Sequence, residues 1–223
     1  MTGTIVNTGT ILVGGLIGLA AGRRIPERVK TILMQTLGLS TLLIGLQMAL
    51  SAREVIPVVG SLLLGALTGE LLRIEDGLEY IGHWLKKRAR SDSSTFVDGF
   101  VTASLLYCTG AMVIVGSIQD GTTGDATTLY IKAMLDGVAS IALASTLGIG
   151  ILFSAVSVFL LQGSITLLAS NLAFLQDPAV LGAVTSTGGL LIVAIGINLL
   201  NMAKIRIGNL LPALVYAVLL TLI

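Results

Sequence analysis

The chain has 223 residues, a mean hydropathy of +0.97 and 11% charged residues, where soluble domains carry about 25%. That excludes a soluble protein, and the apolar segments leave no room for a separate soluble catalytic domain. The net charge of +1 marks no nucleic-acid-binding surface. The single cysteine, Cys108, excludes an internal disulfide, and the single histidine, His83, excludes a His-rich metal site.

A membrane crossing takes about 20 apolar residues, and on that rule the sequence predicts an all-α integral membrane protein with about eight transmembrane helices. The first covers Thr4 to Gly22, the second Thr31 to Leu50 and the third Val55 to Leu72. No cleavable signal peptide is expected, because no basic region precedes the first span. Between the third and fourth spans, Ile74, Leu78, Ile81 and Leu85 recur at helical spacing beside Trp84, with acids first and Lys86, Lys87 and Arg88 last. That order suits the helix dipole and predicts an amphipathic helix on the cytoplasmic membrane surface, with His83 as an ordinary interfacial residue. The fourth span is expected from Phe96 to Ile118. The run after Thr128 must split near Gly148 to Ile151 into the fifth and sixth. The seventh covers Ala179 to Asn201 and the eighth Ile207 to Ile223. The whole chain, 1–223, is read as one polytopic domain with a first half of 1–73, a surface helix at 74–92 and a second half of 96–223.

Charge sets the expected orientation. Arg23, Arg24, Arg28 and Lys30, then Lys86, Lys87, Arg88 and Arg90, then Lys204 and Arg206 fill three loops. Eight alternating crossings place all three on one side, which the positive-inside rule makes cytoplasmic. The loops with Arg53 and Glu54, with Asp120 and Asp125, and with Asp177 then lie outside, as do both termini.

Two internal echoes point to an inverted-topology repeat. Thr8-Gly9 and Gly15 match Thr109-Gly110 and Gly116, with Lys30 and Lys132 following. Thr36, Gly38, Gly45 and Gln47 match Thr187, Gly189, Gly196 and Asn198. Each matched pair crosses in opposite directions in this topology, an arrangement common in secondary transporters. The two echoes do not describe one simple duplication.

Asp136 carries the most information about function. It is the only charged residue between Lys132 and Asp177, and a carboxylate at a helix centre in lipid costs roughly 2.5–3.5 kcal/mol on insertion scales. Lys132, one turn earlier, is its nearest partner and is expected to snorkel to the outer interface. The pair reads either as a structural tie or as a cation or proton site. Asn7, Thr8, Ser104, Thr109, Gln119, Gln162 and Asn198 are the neutral candidates that would supply oxygens or hydrogen bonds. Gln119 and Asp120 read as a loop cap or an entrance, and Asn171 as another intramembrane amide. Oxygen donors of this kind suit hard cations or small polar solutes. Gly14, Gly18 and Gly22, and Gly65 and Gly69, form small-residue stripes for helix packing. A broken helix is the sharper reading at Asn7-Thr8-Gly9-Thr10, Cys108-Thr109-Gly110 and Thr185 to Gly189. The sequence has no HExxH, no GxxxxGK and no CxxC, so no enzyme, catalytic residue or cofactor is expected, and no metal is named.

The stretch Phe96 to Gly121, Lys132 to Gly137, Gln162-Gly163 and Thr187 to Asn198 resembles the YqgA-like bacterial membrane proteins, domain of unknown function 554. The likeness spans essentially the whole chain and highlights Ser104, Gly110, Met112, Gly116, Gln119, Lys132, Asp136 and Gln162. It implies a multi-pass protein of the bacterial inner membrane, often labelled a transport protein, without a substrate or catalytic residues. The expected partners are the lipid bilayer and a small ion or polar solute. The alternative is a structural or accessory protein whose glycine faces join copies in a homo-oligomer.

Overall fold

The computed structural model describes residues 1–22, 24–51 and 54–222. Arg23 and Arg53, expected in loops, and Ile223, expected to close the last span, lie outside the described residues. Ten α-helices follow one another among the described residues, with no strand: α1 Thr2–Gly22, α2 Glu27–Ala49, α3 Val55–Leu72, α4 Ile74–Arg88, α5 Phe96–Cys108, α6 Ala111–Thr122, α7 Thr127–Leu147, α8 Gly150–Leu167, α9 Pro178–Leu199 and α10 Pro212–Thr221. Single 3₁₀ turns occupy Ala173–Gln176 and Ile207–Leu210.

Local chemistry accounts for several boundaries. Gly148 ends α7 with φ +81°, a conformation that favours glycine, so the expected split between fifth and sixth spans falls there. Asp177 caps α9 by accepting from the amides of Ala179 (2.9 Å) and Val180 (3.4 Å), and Pro178, which has no N–H to leave unpaired, takes the first helical position. Asp125 accepts from the Thr127 amide at 2.9 Å ahead of α7, and these hydrogen bonds from Thr127 hold its carboxyl below the usual range.

Six of these helices (α1, α2, α3, α7, α8 and α9) are long and apolar enough to cross a membrane. Two expected spans differ. The fourth divides into α5 and α6, bent by 61°, at Thr109-Gly110, where a side chain added at Gly110 would meet nothing within 4 Å. The eighth begins as a 3₁₀ turn and becomes α-helical only at Pro212. The other two proposed breaks are continuous helix, because α1 runs unbroken through Gly9 and α9 through Gly189.

The chain forms two compact units. The first unit comprises Met1–Gln35, Ile81–Cys108 and Met112–Ala173. In it α1 lies along α7 with both running the same way: a side chain at Gly14 would strike the carbonyl of Gly137, one at Gly18 that of Ile141, and one at Gly22 that of Ser145. Helix α5 lies along α8 in the same manner, with Gly150 on the Phe96 backbone and the Phe96 and Phe153 rings 5.2 Å apart. The α5–α6 pair begins beside the end of α7, where Thr95 donates to the Leu147 carbonyl at 2.8 Å. It finishes beside the start of α7, where Gly116 meets Leu129 and Thr128.

The second unit comprises Thr36–Tyr80, Thr109–Ala111 and the residues from Phe174 on. Here α3 and α10 are antiparallel, with Gly65 on Ala213 and Gly69 on Asn209. The echo residues of α2 and α9 also meet antiparallel, Gly38 against Gly196 and Gly45 against Gly189. At the C-terminal end of α3, Arg206 pairs with Glu70 at 2.8 Å, and Asn209 joins Glu70 (2.8 Å) to the Glu75 amide (2.7 Å). The Gly208 amide donates to the Glu75 carboxylate. Burial of that carboxyl, aided by nearby Glu79, raises its pKa despite Gly208, Arg206 and Lys204.

Burial is inverted relative to a soluble protein. The buried face of α1 is Gly3, Thr4, Asn7, Ile11, Gly14, Gly15, Gly18 and Gly22, while Ile5, Leu12, Val13, Leu16 and Ile17 are exposed. Lipid supplies the apolar surroundings that exposed side chains lack in water, so small and polar residues go to the helix contacts. The apolar stripe expected on α4 is split: Gly82 packs on Val97 and Phe100, and Leu78 on Gly208, whereas Ile81 is exposed.

Candidate functional site

In α1, Thr4 and Asn7 are three residues apart and share one face. The same spacing rule places Lys132 with Asp136 on α7 and Gln162 with Thr166 on α8. The glycines of α1 bring its backbone onto α7, and α8 closes the third side. These six side chains form one buried cluster in the first unit.

The hydrogen bonds fix the chemical roles. The Asn7 amide nitrogen donates to Asp136 Oδ2 and to Gln162 Oε1, both at 3.0 Å. Gln162 Nε2 donates to Thr4 Oγ1 at 3.1 Å, and Thr4 lies 3.5 Å from the Thr166 hydroxyl. Lys132 Nζ pairs with Asp136 Oδ2. It sits 6.0 Å from the Tyr107 ring centre, whose hydroxyl bonds Ser140 Oγ at 2.8 Å. Because both neighbours of the Asn7 nitrogen are acceptors, that atom must be the NH₂ end of the amide. Asn7 Oδ1 is therefore a genuine acceptor, and it is buried with no hydrogen-bond partner among the described residues. An acceptor left bare in an apolar interior costs about 1–3 kcal/mol. An incoming cation or N–H group would satisfy it, whereas an anion would not.

Of the nine sequence candidates, the structure gathers Asn7, Lys132, Asp136 and Gln162. The other five lie elsewhere. Thr8 bonds the Thr4 carbonyl within α1 at 2.8 Å. Ser104 bonds Ser157 at 2.9 Å between α5 and α8. Thr109 belongs to the second unit, its carbonyl against Gly188. Gln119 accepts from the Thr128 hydroxyl at 2.8 Å, fastening the end of α6 to the start of α7. Asn198 clasps both backbone groups of Ile205 at 2.8 Å in the second unit.

Three expectations about neighbours also change. Lys132 does not snorkel, since its side chain is 6% exposed and turned onto Asp136. Asn171 is exposed in the turn after α8, not inside a span. Asp120 is a cap supplied from α6 to α1, accepting from the Gly3 amide at 3.2 Å and the Thr2 hydroxyl at 3.5 Å. Thr4 and Thr166 are members the sequence reading omitted, although each is one turn from a listed amide. An open cleft of about 660 Å³ along Arg28, Val29, Thr31, Ile32 and Gln35 holds none of the nine.

Comparison with known proteins agrees with a membrane setting. The model of the family described as "Protein of unknown function (DUF554)" matches residues 2–222. An "uncharacterized membrane protein YdfK" of Bacillus subtilis (strain 168) is 34% identical over 218 residues, covering 96% of this chain and 93% of that protein. The "uncharacterized protein YqgA" of Escherichia coli (strain K12) is 28% identical over 223 residues, covering 96% of this chain and 94% of its own. No solved structure matches the chain.

Proposed function

The chain belongs to the DUF554 family of proteins of unknown function, and we propose that it is a secondary transporter or channel for a small cation or polar solute, with Asp136 as the cation or proton site. The observation that carries this reading is the bare Asn7 Oδ1 beside the Asp136 carboxylate, buried where α1, α7 and α8 meet. Oxygens of Thr4, Asn7, Asp136 and Gln162 make a hard, oxygen-only donor set, suited to Na⁺, K⁺ or a proton more than to a soft metal. Asp136 would exchange Lys132 for the entering ion while Asn7, itself fixed by Gln162, holds its carboxylate in place.

The proposed setting is the bacterial inner membrane, with eight crossings. Helix directions support this count: α1 with α7 and α5 with α8 run parallel, while α2 with α9 and α3 with α10 run antiparallel. Eight alternating crossings demand all four relations. The inverted repeat draws its support from α2 and α9. Exchanging these helices by their echo turns the Gly38–Gly196 contact into the Gly189–Gly45 contact, as a two-fold axis would.

The second reading is a structural or accessory membrane protein, in which Lys132 neutralises Asp136 within one helix. Its premise that the glycine stripes join copies loses ground, because Gly14, Gly18, Gly22, Gly65 and Gly69 are filled from within the chain. The deciding experiment is flux in proteoliposomes with Na⁺, K⁺ and pH gradients. Cation- or proton-dependent flux that disappears in folded Asp136→Asn is expected. Flux that is unchanged in that variant removes the site, and no flux with any gradient favours the structural reading.

A further inference from the structure

Helix α4 presents an apolar, basic surface that takes no part in the Asp136 cluster. It starts one residue after α3, a helix of membrane-crossing length, and Arg73 makes the corner in the left-handed conformation with φ 51°. Further along, Gly82 rests on Val97 and Phe100 at the start of α5. Both attachments belong to membrane-crossing elements, so α4 is held at the boundary between lipid and water. Its outward side carries Tyr80, Ile81 and Trp84, which are 73%, 47% and 56% exposed. Tyrosine and tryptophan are the residues that settle at that boundary, with the ring in the lipid and the polar edge in water.

Charge decides which lipid. Glu75 and Asp76 occupy the first turn of α4, and Lys86, Lys87 and Arg88 the last. These three cations form no ion pair among the described residues. The positive end therefore follows directly on Trp84, with no acid among the described residues paired to it. We propose that the exposed face of α4 is a binding surface for anionic lipid: Tyr80, Ile81 and Trp84 enter the acyl boundary, and Lys86, Lys87 and Arg88 hold phosphate headgroups. An acidic protein partner would match the cations but leaves unexplained why the aromatic face is held at the membrane boundary.

Trp84 is the only tryptophan in the chain, so its fluorescence reports this surface alone. The full chain is placed in nanodiscs of mixed phosphatidylcholine and phosphatidylglycerol, with bromine on the acyl chains of one lipid at a time. Shallow bromines should quench Trp84 more than deep ones. Brominated phosphatidylglycerol should quench with an apparent affinity at least about fivefold above that of brominated phosphatidylcholine, the factor that one surface cation contributes. Replacing all three cations (Lys86→Gln, Lys87→Gln, Arg88→Gln) should bring the two lipids level while shallow quenching persists, with unchanged helical content as the folding control. Equal quenching by both lipids in the unmodified protein overturns the anionic preference. Unquenched Trp84 overturns the membrane surface altogether and leaves a protein partner.

Discussion

At the residue scale, the decisive relation is between Lys132 and Asp136. The lysine shields a carboxylate that is 11% exposed by side chain and lies among apolar helices. Removing one member of a buried pair strands the other, at a cost of about 3–5 kcal/mol, whereas replacing both with apolar groups is often neutral. Lys132→Met should therefore destabilise the detergent-solubilised protein strongly, and Lys132→Met with Asp136→Leu should recover most of the loss. Unfolding measured across this cycle checks the pair, and equal stability of the single and double variants would show that Asp136 is not held as a buried charge. Asn7, Asp136 and Gln162 could be picked out from the sequence because each interrupts an apolar run. Thr4 and Thr166 could not. A helical threonine can bond its own backbone, as Thr166 does to Gln162 and Thr8 to Thr4, and only the packed neighbour distinguishes one from another. Lys132 was misread for a related reason: its spacing gives the partner on α7 but not the shelter provided by the surrounding helices.

At the element scale, glycine carries the argument, and two positions on α1 separate its uses. Gly9 has nothing within 4 Å of an added Cβ, while at Gly14 the added atom would strike the Gly137 backbone. Backbone cannot rotate aside, so α1 would have to move away from α7. Gly14→Ala should cost about 1–3 kcal/mol as an overpacked contact. Gly9→Ala should instead gain about 0.5–1 kcal/mol by relieving the chain entropy of glycine in a helix. Thermal unfolding of the two variants side by side tests this, and a similar loss in both would mean that α1 and α7 do not meet along these glycines. The GxxxG spacing made the stripe visible in the sequence. Its partner was not visible, since α7 offers Gly137, Ile141 and Ser145 at the contact, and the large Ile141 between the two small residues breaks any small-residue stripe. The broken span follows the same division. The Cys108-Thr109-Gly110 cluster was legible as a weak point, but so were Asn7 to Thr10 and Thr185 to Gly189, which lie in continuous helices where Thr10 meets Gly137 and Gly189 meets Gly45 and Ala49.

At the scale of the whole molecule, the directions of the helices lead to a test of topology. Each long helix alternates if the α5–α6 pair crosses once and α10 completes the count. The pair starts at the end of α7 and finishes at its start, the path expected of a crossing. The antiparallel contacts of α2 and α9 put the segments that follow them, Ser51 and Met202, at opposite ends of the pair, and so on opposite faces of the membrane if both helices cross it. The positive-inside rule predicts those faces: Arg24, Lys87 and Lys204 inside, Asp125 and Asp177 outside. Single cysteines can be introduced into a Cys108→Ser background at the exposed positions Ser51, Asp92, Gly124 and Met202. In bacterial cells made permeable only at any outer membrane, an impermeant maleimide should label the cysteines at 51 and 124. Those at 92 and 202 should react only after the inner membrane is opened. Labelling of 92 and 124 from one side would make α5 and α6 a re-entrant pair and reduce the count to seven. Labelling of 51 and 202 from one side would abolish the two-fold relation between α2 and α9, and the inverted repeat with it. The Asp136 cluster survives either result, because α1, α7 and α8 hold it without help from α2, α9 or α10.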